Sequence, residues 1–354
     1  MNIDIIKGSN DFIESLRGKK ATFMLSMSTT QTCNIQGITQ AGLDGLLHLT
    51  PTLDAEFLTV GVPRSLANLA VTPKGVPTPA LITRAVHLLH PFNHIELLNL
   101  GISNIPKVDY FKIHTFDIKP SESIDTGANI NAIDIFEKGV EFGKAYECKD
   151  DYVILAESIP AGTTTATATA MALGYEVEGK FSSSFKNVPD DIKKTTIEKA
   201  LSNIQKYDDI FAKLSKVSDN MIIFNAGFLL GCVYSQTKVV LAGGTQMAAV
   251  LLVLNSILQT MEGHISSKNI ALWTTSWLYN DENSDIKALL DILSFDINAY
   301  ATDFTFKYSK HPALKLYDQG EAKEGVGAGG SLVYAALNAI TAKEITAKVE
   351  SFLG

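Results

Sequence analysis

The chain has 354 residues with 38 acidic and 30 basic side chains, and its formal net charge of −8 argues against a nucleic-acid-binding surface. Hydrophobic residues make up 46% and charged residues 19%, which is typical of a folded globular protein and excludes broad disorder. The length suits one large α/β domain, alone or with a small appendage.

Targeting and membrane signals are weak in this sequence. The first residues lack the basic and then apolar pattern of a secretory signal. The most apolar region, 221–258, is interrupted by polar residues and glycines before it reaches the length of a membrane span. Cys33, Cys148 and Cys232 lie far apart and show no metal-ligand spacing. We therefore expect a cytoplasmic protein with free thiols that binds neither a membrane nor nucleic acid.

Apolar runs and helical patterns alternate along the chain. Helices are predicted over 3–16, 166–173, 190–215, 247–258 and 331–353. Strands are predicted over 21–27, 56–60, 95–100, 152–156, 238–242, 270–275 and 304–308. This alternation predicts a three-layer, doubly wound α/β fold, in which a mostly parallel sheet carries helices on both faces.

The predicted α/β domain spans 21–330, and 1–20 together with 331–354 are predicted to form a small helical appendage from the two termini. In a sheet of this kind, ligands bind outside the carboxyl ends of the strands. Small polar loops follow most of the predicted strands, so we expect the functional site at that edge of the sheet.

The first loop, 157–165, lies between a predicted strand and a predicted helix. Backbone N–H groups at the start of a helix bind anions, and the hydroxyls of Thr163 and Thr164 add donors there. Glu157 would repel a phosphate, but it can accept hydrogen bonds from a sugar attached to that phosphate. The loop therefore predicts a nucleotide or sugar phosphate site, with a tight ligand-free turn as the alternative.

The second loop, 243–249, follows the strand predicted at 238–242. Its paired glycines, Gly243 and Gly244, would let a ligand approach the backbone closely. The alternative is close packing of the strand against the following helix. Taken alone, this loop favours close packing over a ligand site.

The third loop, 320–331, places Glu321 and Glu324 among glycines and alanines. A loop with such small side chains can admit a flat ligand. A carboxylate beside an apolar wall has a raised pKa and can act as a general base. An ordinary surface loop is the alternative, but this loop runs straight into an apolar helical pattern.

Several common enzyme signatures are missing or lack their context. The sequence contains neither the P-loop pattern nor the serine-hydrolase elbow. A dinucleotide-binding glycine pattern occurs in the third loop, but no predicted strand leads into it. His87, His90 and His94 have helical spacing, yet Pro91 interrupts a helix there and no carboxylate completes a zinc pattern.

Taken in order, the three loops resemble those of the nicotinate-nucleotide:dimethylbenzimidazole phosphoribosyltransferase family, in particular its divergent branch from archaea and cyanobacteria. That family carries Glu-x-Gly-x-Gly-Asn-Thr-Thr, then a Gly-Gly loop ending in Ala-Ala, then Gly-Glu-Gly-(Thr/Ser)-Gly-Ala. The counterparts are Glu157 with Thr163 and Thr164, the segment 243–249, and the segment 324–328. The resemblance covers roughly the half of the chain after Tyr152.

The resemblance implies transfer of ribose 5-phosphate from nicotinate mononucleotide to a planar, dimethylbenzimidazole-like base, which gives an α-ribotide for the lower ligand of a cobamide. Glu324 would be the general base, because it alone is followed by Gly-x-Gly-Ala, and Glu321 stays an alternative register. The resemblance implies no cofactor and no metal, and it implies a homodimer. The substrate-binding residues that it implies are Glu157, Gly162, Thr163, Thr164, Lys193, Gly243, Gly244, Gln246, Gly325 and Gly327.

The sequence departs from the family pattern at two places. Ile159 and Ala161 replace glycines of the first loop, and Gly162 replaces its Asn. The Asp-His-Gly strand end of typical members is replaced by the segment 28–32, which leaves the accepted base open. Two alternatives therefore stand beside the transferase: a non-catalytic nucleotide-binding or regulatory homologue, and an enzyme that uses another nucleotide or activated sugar.

Overall fold

The computed structural model describes residues 1–67, 71–187, 189–263 and 265–354. Within these ranges eight strands form one sheet. The strands are β1 (Ile3–Lys7), β2 (Ala21–Met27), β3 (His94–Asn99), β4 (Lys112–Thr115), β5 (Tyr152–Ser158), β6 (Val239–Ala242), β7 (Ile270–Thr275) and β8 (Asn298–Thr302). The helices are α1 (Asn10–Glu14), α2 (Thr50–Val60), α3 (Ala80–Leu89), α4 (Ala132–Ala145), α5 (Gly162–Ala172), α6 (Asp190–Ser202), α7 (Ile210–Val217), α8 (Asn220–Ser235), α9 (Thr245–Thr260), α10 (Ser276–Tyr279), α11 (Ile286–Asp291), α12 (Pro312–Lys315), α13 (Ala328–Leu337) and α14 (Ala342–Glu350).

The strand order places a topological switch point in the middle of the sheet. The order is β1-β8-β7-β6-β5-β2-β3-β4, and β1 runs antiparallel to β8 while the other neighbours pair in parallel. The chain builds β2 to β4 towards one edge and β5 to β8 towards the other. The reversal between β2 and β5 leaves a crevice outside their carboxyl ends, where ligands bind in sheets of this type.

Two hydrophobic cores cover the two faces of the sheet, because successive side chains of a strand point to opposite sides. Met24 of β2 belongs to the core that contains residues of α4, α8 and α9. Its neighbour Phe23 belongs to the other core, with residues of α3, α13 and α14. The predicted mostly parallel α/β sheet with helices on both faces is confirmed. No helix in the described ranges has both the length and the hydropathy that a membrane span requires.

Two predicted strands are wrong. Residues 56–60 belong to α2, which has Pro51 in its first turn and ends at Gly61 with φ of 87°. Residues 50–58 of this helix are all buried, so it shows no polar face from which a helical period could be read. The strand predicted at 304–308 is displaced to Asn298–Thr302, and Phe306 instead stacks on Trp277 with ring centroids 5.7 Å apart.

The helix predicted over 3–16 is also wrong over its first part. Residues Ile3–Lys7 form the edge strand β1, Gly8 follows with φ of 92°, and only Asn10–Glu14 are helical. At the other terminus the single helix predicted over 331–353 is divided into α13 and α14, because the chain leaves the helix after Leu337 and Thr341 caps a new one. The division of the chain into a 21–330 domain and a terminal appendage stays a prediction.

Candidate active site

A cleft opens at the carboxyl ends of the central strands. Residues of all three loops line it, so segments that are far apart in sequence meet at one place. The other walls come from α2, Leu278 of α10 and the segments 39–42, 71–79 and 182–184. Of the predicted site residues, the cleft is lined by Glu157, Gly162, Thr163, Gly244, Gln246, Glu324 and Gly325.

Glu324 lies in the third loop with its carboxylate held at both oxygens. Oε1 accepts hydrogen bonds from the amides of Gly325 at 3.1 Å and Gly329 at 3.0 Å. Oε2 accepts from the Thr275 amide at 3.1 Å and the Thr274 hydroxyl at 3.2 Å. Burial nevertheless raises the pKa of Glu324 to about 7, although these hydrogen bonds favour the ionised form. The carboxylate is thus fixed in position and suited to take up a proton near neutral pH.

Glu157 is the last residue but one of β5, lines the same cleft and is only 3% exposed. Burial raises its pKa to about 8, and the negative charges of Glu324 and Asp54 contribute to the rise. At neutral pH this side chain is therefore mainly a neutral carboxylic acid. In that form it can donate one hydrogen bond as well as accept others.

Asp54 is a cleft carboxyl group that the sequence reasoning missed. It projects from α2 and accepts hydrogen bonds from the hydroxyls of Thr78 and Ser158, each at 2.7 Å. Burial raises its pKa to about 6. The sequence signal for Asp54 is an acidic residue within an apolar segment. It was missed because residues 56–60 were predicted as a strand, whereas they belong to the helix that carries Asp54.

Glu321 occupies a different environment from Glu324. Its carboxylate forms an ion pair with Lys74 and accepts a 2.5 Å hydrogen bond from the Gln40 side-chain amide. Burial would raise the pKa of Glu321, but the hydrogen bonds from Lys74 and Gln40 outweigh it and hold the pKa below its usual range. Glu321 is absent from the lining of the cleft as far as the described residues define it. The third loop thus presents one glutamate to the cleft and uses the other to bind Lys74.

The first loop starts α5 at Gly162, and Lys193 of α6 reaches the same point. The Lys193 ammonium lies 3.2 Å from the Thr163 hydroxyl and 3.1 Å from the Ser182 carbonyl oxygen. Ala161 caps the helix in the left-handed conformation, with φ of 64°. The side chain of Thr164, by contrast, is fully buried and does not line the cleft. The amino end of α5 and Thr163 line the cleft, whereas Lys193 is 6% exposed and does not line it as the described residues define it. Its ammonium places a positive charge next to Thr163, so this end of the site attracts anions.

The second loop lies against two of the three cleft carboxyl groups, Glu157 and Glu324. A Cβ atom on Gly244 would conflict with Leu278 and lie 3.5 Å from Cβ of Glu324. A Cβ atom on Gly243 would lie 2.8 Å from Cγ of Met247 and 3.8 Å from Cγ of Glu157. Gly243 does not line the cleft itself. The paired glycines are thus explained in part by close packing, which was the alternative that the sequence favoured for this loop.

Three glycines of the third loop have positive φ: 89° at Gly320, 147° at Gly325 and 69° at Gly327. Gly325 lines the cleft. Gly327 does not, and a Cβ atom there would lie 2.7 Å from Cβ of Ala156. This glycine lets the third loop pack closely on β5.

Lys323 is a second cleft residue that the sequence did not reveal. Its side chain is 2% exposed, and its ammonium lies 3.0 Å from Oδ2 of Asp281 and 3.1 Å from the Phe185 carbonyl oxygen. In the sequence it looks like any charged loop residue. Its partner Asp281 comes from a distant segment that carries no motif.

Comparison with known proteins places this chain among archaeal sequences. It is 36% identical over 360 residues to a UPF0284 protein of Sulfurisphaera tokodaii, an alignment that covers 99% of this chain and 97% of that protein. It is 34% identical over 335 residues to a UPF0284 protein of Saccharolobus solfataricus, covering 94% and 92% of the two chains. No family model matches the sequence.

Solved structures identify the fold. The nicotinate-nucleotide-dimethylbenzimidazole phosphoribosyltransferase of Thermus thermophilus superimposes with a TM-score of 0.61 at 13% identity, covering 92% of this chain and 82% of that one. A second structure, CobT from the same organism, gives a TM-score of 0.59 at 14% identity, with 92% and 83% coverage. At such low identity the likeness concerns the fold. The chain belongs to the UPF0284 family and has the fold of the nicotinate-nucleotide:dimethylbenzimidazole phosphoribosyltransferases.

Proposed function

We propose that this protein is a phosphoribosyltransferase that moves ribose 5-phosphate from nicotinate mononucleotide to a planar heterocyclic base. The product is an α-ribotide for the lower ligand of a cobamide. The observation that carries the proposal is the environment of Glu324, a partly buried carboxyl group held by four hydrogen-bond donors in a cleft formed by all three predicted loops. A homodimer is proposed from the family resemblance alone.

The proposed reaction is a displacement at C1 of the ribose. A ring nitrogen of the incoming base bonds to C1, and the bond from C1 to the nicotinate nitrogen breaks. The electron pair of that bond neutralises the positive pyridinium ring, so nicotinate leaves readily. The base loses its other ring N–H proton to Glu324. A general base is efficient in such a proton transfer when its pKa lies close to the working pH, as the pKa of Glu324 does at neutral pH.

The remaining cleft residues are assigned to the donor. The amino end of α5, Thr163 and Lys193 would hold the 5-phosphate, because each supplies an N–H or O–H donor or positive charge at one place. Glu157 would bind the ribose hydroxyls, and its largely protonated state avoids repulsion of the phosphate. Gly244, Gln246 and Gly325 would form the walls of the nucleotide site. The backbone around the nucleotide site would be held in place by Thr164, Gly243 and Gly327, which do not line the cleft.

The test is an incubation of the purified protein with nicotinate mononucleotide and a panel of benzimidazoles, purines and phenols. Chromatography would follow free nicotinate and the new ribotide. We expect nicotinate release that depends on one class of base and is matched by equimolar ribotide. If no base gives nicotinate release, while calorimetry detects nucleotide binding, the protein is a nucleotide-binding homologue and the transferase proposal is wrong.

A further inference from the structure

The described residues place hydrogen-bond donors of two kinds around the carboxylate of Glu324. Three are backbone amides, those of Gly325, Thr275 and Gly329. The fourth donor is the hydroxyl of Thr274, which lies 3.2 Å from Oε2. An ionised carboxylate has about four acceptor sites, so these donors occupy what it offers. The N–H group of an incoming base therefore has to compete with one of them.

The amides cannot give way, because the backbone that carries them is fixed. Thr275 ends β7, and its hydroxyl donates at 2.6 Å to the Lys323 carbonyl oxygen and accepts at 3.2 Å from the Leu278 amide. Gly329 lies in the first turn of α13, where an added Cβ atom would lie 2.5 Å from Oε2 of Glu324. Withdrawal of either amide would displace β7 or α13.

The hydroxyl of Thr274 differs from these amides in two respects. It can turn about its Cβ–Oγ bond without any movement of the backbone. It also has acceptor lone pairs, whereas an amide N–H group can only donate. A protonated carboxyl group needs an acceptor for its O–H, and of the four described donors only the Thr274 hydroxyl can become one. Thr274 is fully buried and does not line the cleft as the described residues define it.

We propose that Thr274 is a positioning residue for the general base Glu324. Its hydroxyl donates to Oε2 while the carboxylate is ionised, and turns to accept once the carboxylate has taken the ring proton of the base. In that step the N–H bond of the base breaks, its electron pair stays on the ring nitrogen, and an O–H bond forms on Glu324. The inference rests on the proposed transferase function and extends it to a residue outside the three loops.

The test variants remove or keep the hydroxyl group. Thr274→Val keeps the branched shape of the side chain and removes the hydroxyl, and Thr274→Ala is a second variant without it. Thr274→Ser keeps it. Thr302→Val is the matched control, because Thr302 is a fully buried threonine at the end of the neighbouring strand β8. Its hydroxyl has no hydrogen-bond partner among the described residues.

The first measurement is the pH profile of nicotinate release at saturating substrates. The hydrogen bond from Thr274 to the ionised carboxylate is charge-assisted, so it is stronger than a bond to the neutral acid. Loss of the hydroxyl should therefore move the acid limb of the profile upward by roughly one pH unit in Thr274→Val and Thr274→Ala. Thr274→Ser and Thr302→Val should keep the limb of the wild type.

The second measurement follows Glu324 directly, because other titratable groups lie close to it. These are Asp54 on α2, Glu157 on β5, Lys323 in the third loop, and Tyr317 ahead of that loop. All are unchanged in the variants. NMR of protein labelled at the glutamate carboxyl carbons separates their titrations, and the Glu324 signal is the one that is missing from Glu324→Gln. Its midpoint should move upward with the acid limb.

A Glu324 signal that titrates at the same pH with and without the Thr274 hydroxyl would overturn the inference. So would an acid limb that stays in place while the signal moves, a Thr274→Ser variant that behaves like Thr274→Val, or an equal shift in Thr302→Val. The NMR titration needs no turnover. If no base gives nicotinate release and the Glu324 signal still shifts, the contact between Thr274 and Glu324 is supported and the transferase proposal alone is wrong.

Discussion

The backbone amide of Val326 donates a 2.9 Å hydrogen bond to the carbonyl oxygen of Glu157. This bond fixes the third loop to the end of β5. On the other side of the loop, the Thr83 hydroxyl of α3 donates at 2.7 Å to the carbonyl oxygen of Val326. The two bonds hold Glu157 and Glu324 in one cleft, where the charge of Glu324 helps to raise the pKa of Glu157.

Replacement of Glu324 by Gln should abolish turnover and leave donor binding nearly intact. The amide keeps the shape of the side chain but cannot accept the proton of the incoming base. Loss of a general base costs about 10²- to 10⁴-fold in rate. The measurement is nicotinate release at saturating donor, with nucleotide binding followed by calorimetry.

Glu321→Gln is the matched control for this variant. It changes a buried glutamate of the same loop that is paired with Lys74 and does not line the cleft. We expect it to lower the free energy of unfolding and to retain most of the activity of the folded protein. If Glu321→Gln is the inactive variant and Glu324→Gln is not, the assignment of the base must be reversed.

The sequence predicted the strand-loop-helix units of the site well, because each is encoded locally. A β-rich run, a small-residue loop and a helical pattern are contiguous at 152–173 and again at 238–258, and both units are present as β5–α5 and β6–α9. Asp54 and Lys323 were missed because their significance depends on contacts between distant segments. Asp54 reaches the cleft through a helix with no polar face, and Lys323 gains its role through Asp281.

Lys193→Met should weaken donor binding with a smaller effect on the rate at saturation. The Lys193 ammonium lies at the start of α5 next to the Thr163 hydroxyl, where the phosphate is proposed to bind. A lost charge-assisted hydrogen bond corresponds to a rise in KM of roughly 10- to 100-fold. Lys194→Met changes the next residue, which is exposed, and should leave KM unchanged. Equal effects of the two variants would contradict a phosphate site at Lys193.

The turnover rate should fall in acid as Glu324 is protonated. Burial raises the pKa of Glu324 to about 7, and only the ionised carboxylate can take the proton of the base. Below this pKa the rate should drop roughly tenfold for each pH unit, and above it the rate should level off. The check is a pH profile of nicotinate release between pH 5 and 9 at saturating substrates. A flat profile through neutral pH would argue that another group accepts the proton.

Stability should decrease as the pH rises through neutrality, because of Glu157. Its pKa is about 8 in the folded protein, against 4.5 for the free side chain. Between these values the native state binds the proton and the unfolded state does not, so this contribution to stability is complete below pH 4.5 and is lost as the pH rises through about 8.

Glu157→Gln isolates that contribution, because the glutamine side chain does not titrate. Urea unfolding of both proteins at pH 5, 6, 7 and 8 gives the difference between their free energies of unfolding. We expect the wild type to lose stability relative to the variant by up to about 1.4 kcal/mol for each pH unit. If the free energies of unfolding of the two proteins change equally with pH over this range, Glu157 is ionised in the folded protein at neutral pH.

Gly327→Ala should destabilise the protein more than a positive φ alone explains. Gly327 has φ of 69°, and an added Cβ would lie 2.7 Å from Cβ of Ala156 and 3.0 Å from the Phe23 ring. Gly18 also has φ of 69°, but no described atom lies within 4 Å of the position of its Cβ. Gly18→Ala therefore measures the backbone cost alone, about 1–2 kcal/mol.

Gly327→Ala adds overpacking between the third loop and β5, about 1–3 kcal/mol more. The same displacement would move Glu324, three residues away in that loop, so the rate of nicotinate release per folded molecule should also fall. Gly18→Ala should leave that rate unchanged. Equal free energies of unfolding for the two variants, measured in urea, would mean that the third loop can move away from β5 at no cost, and the link through Val326 would then not hold the site together.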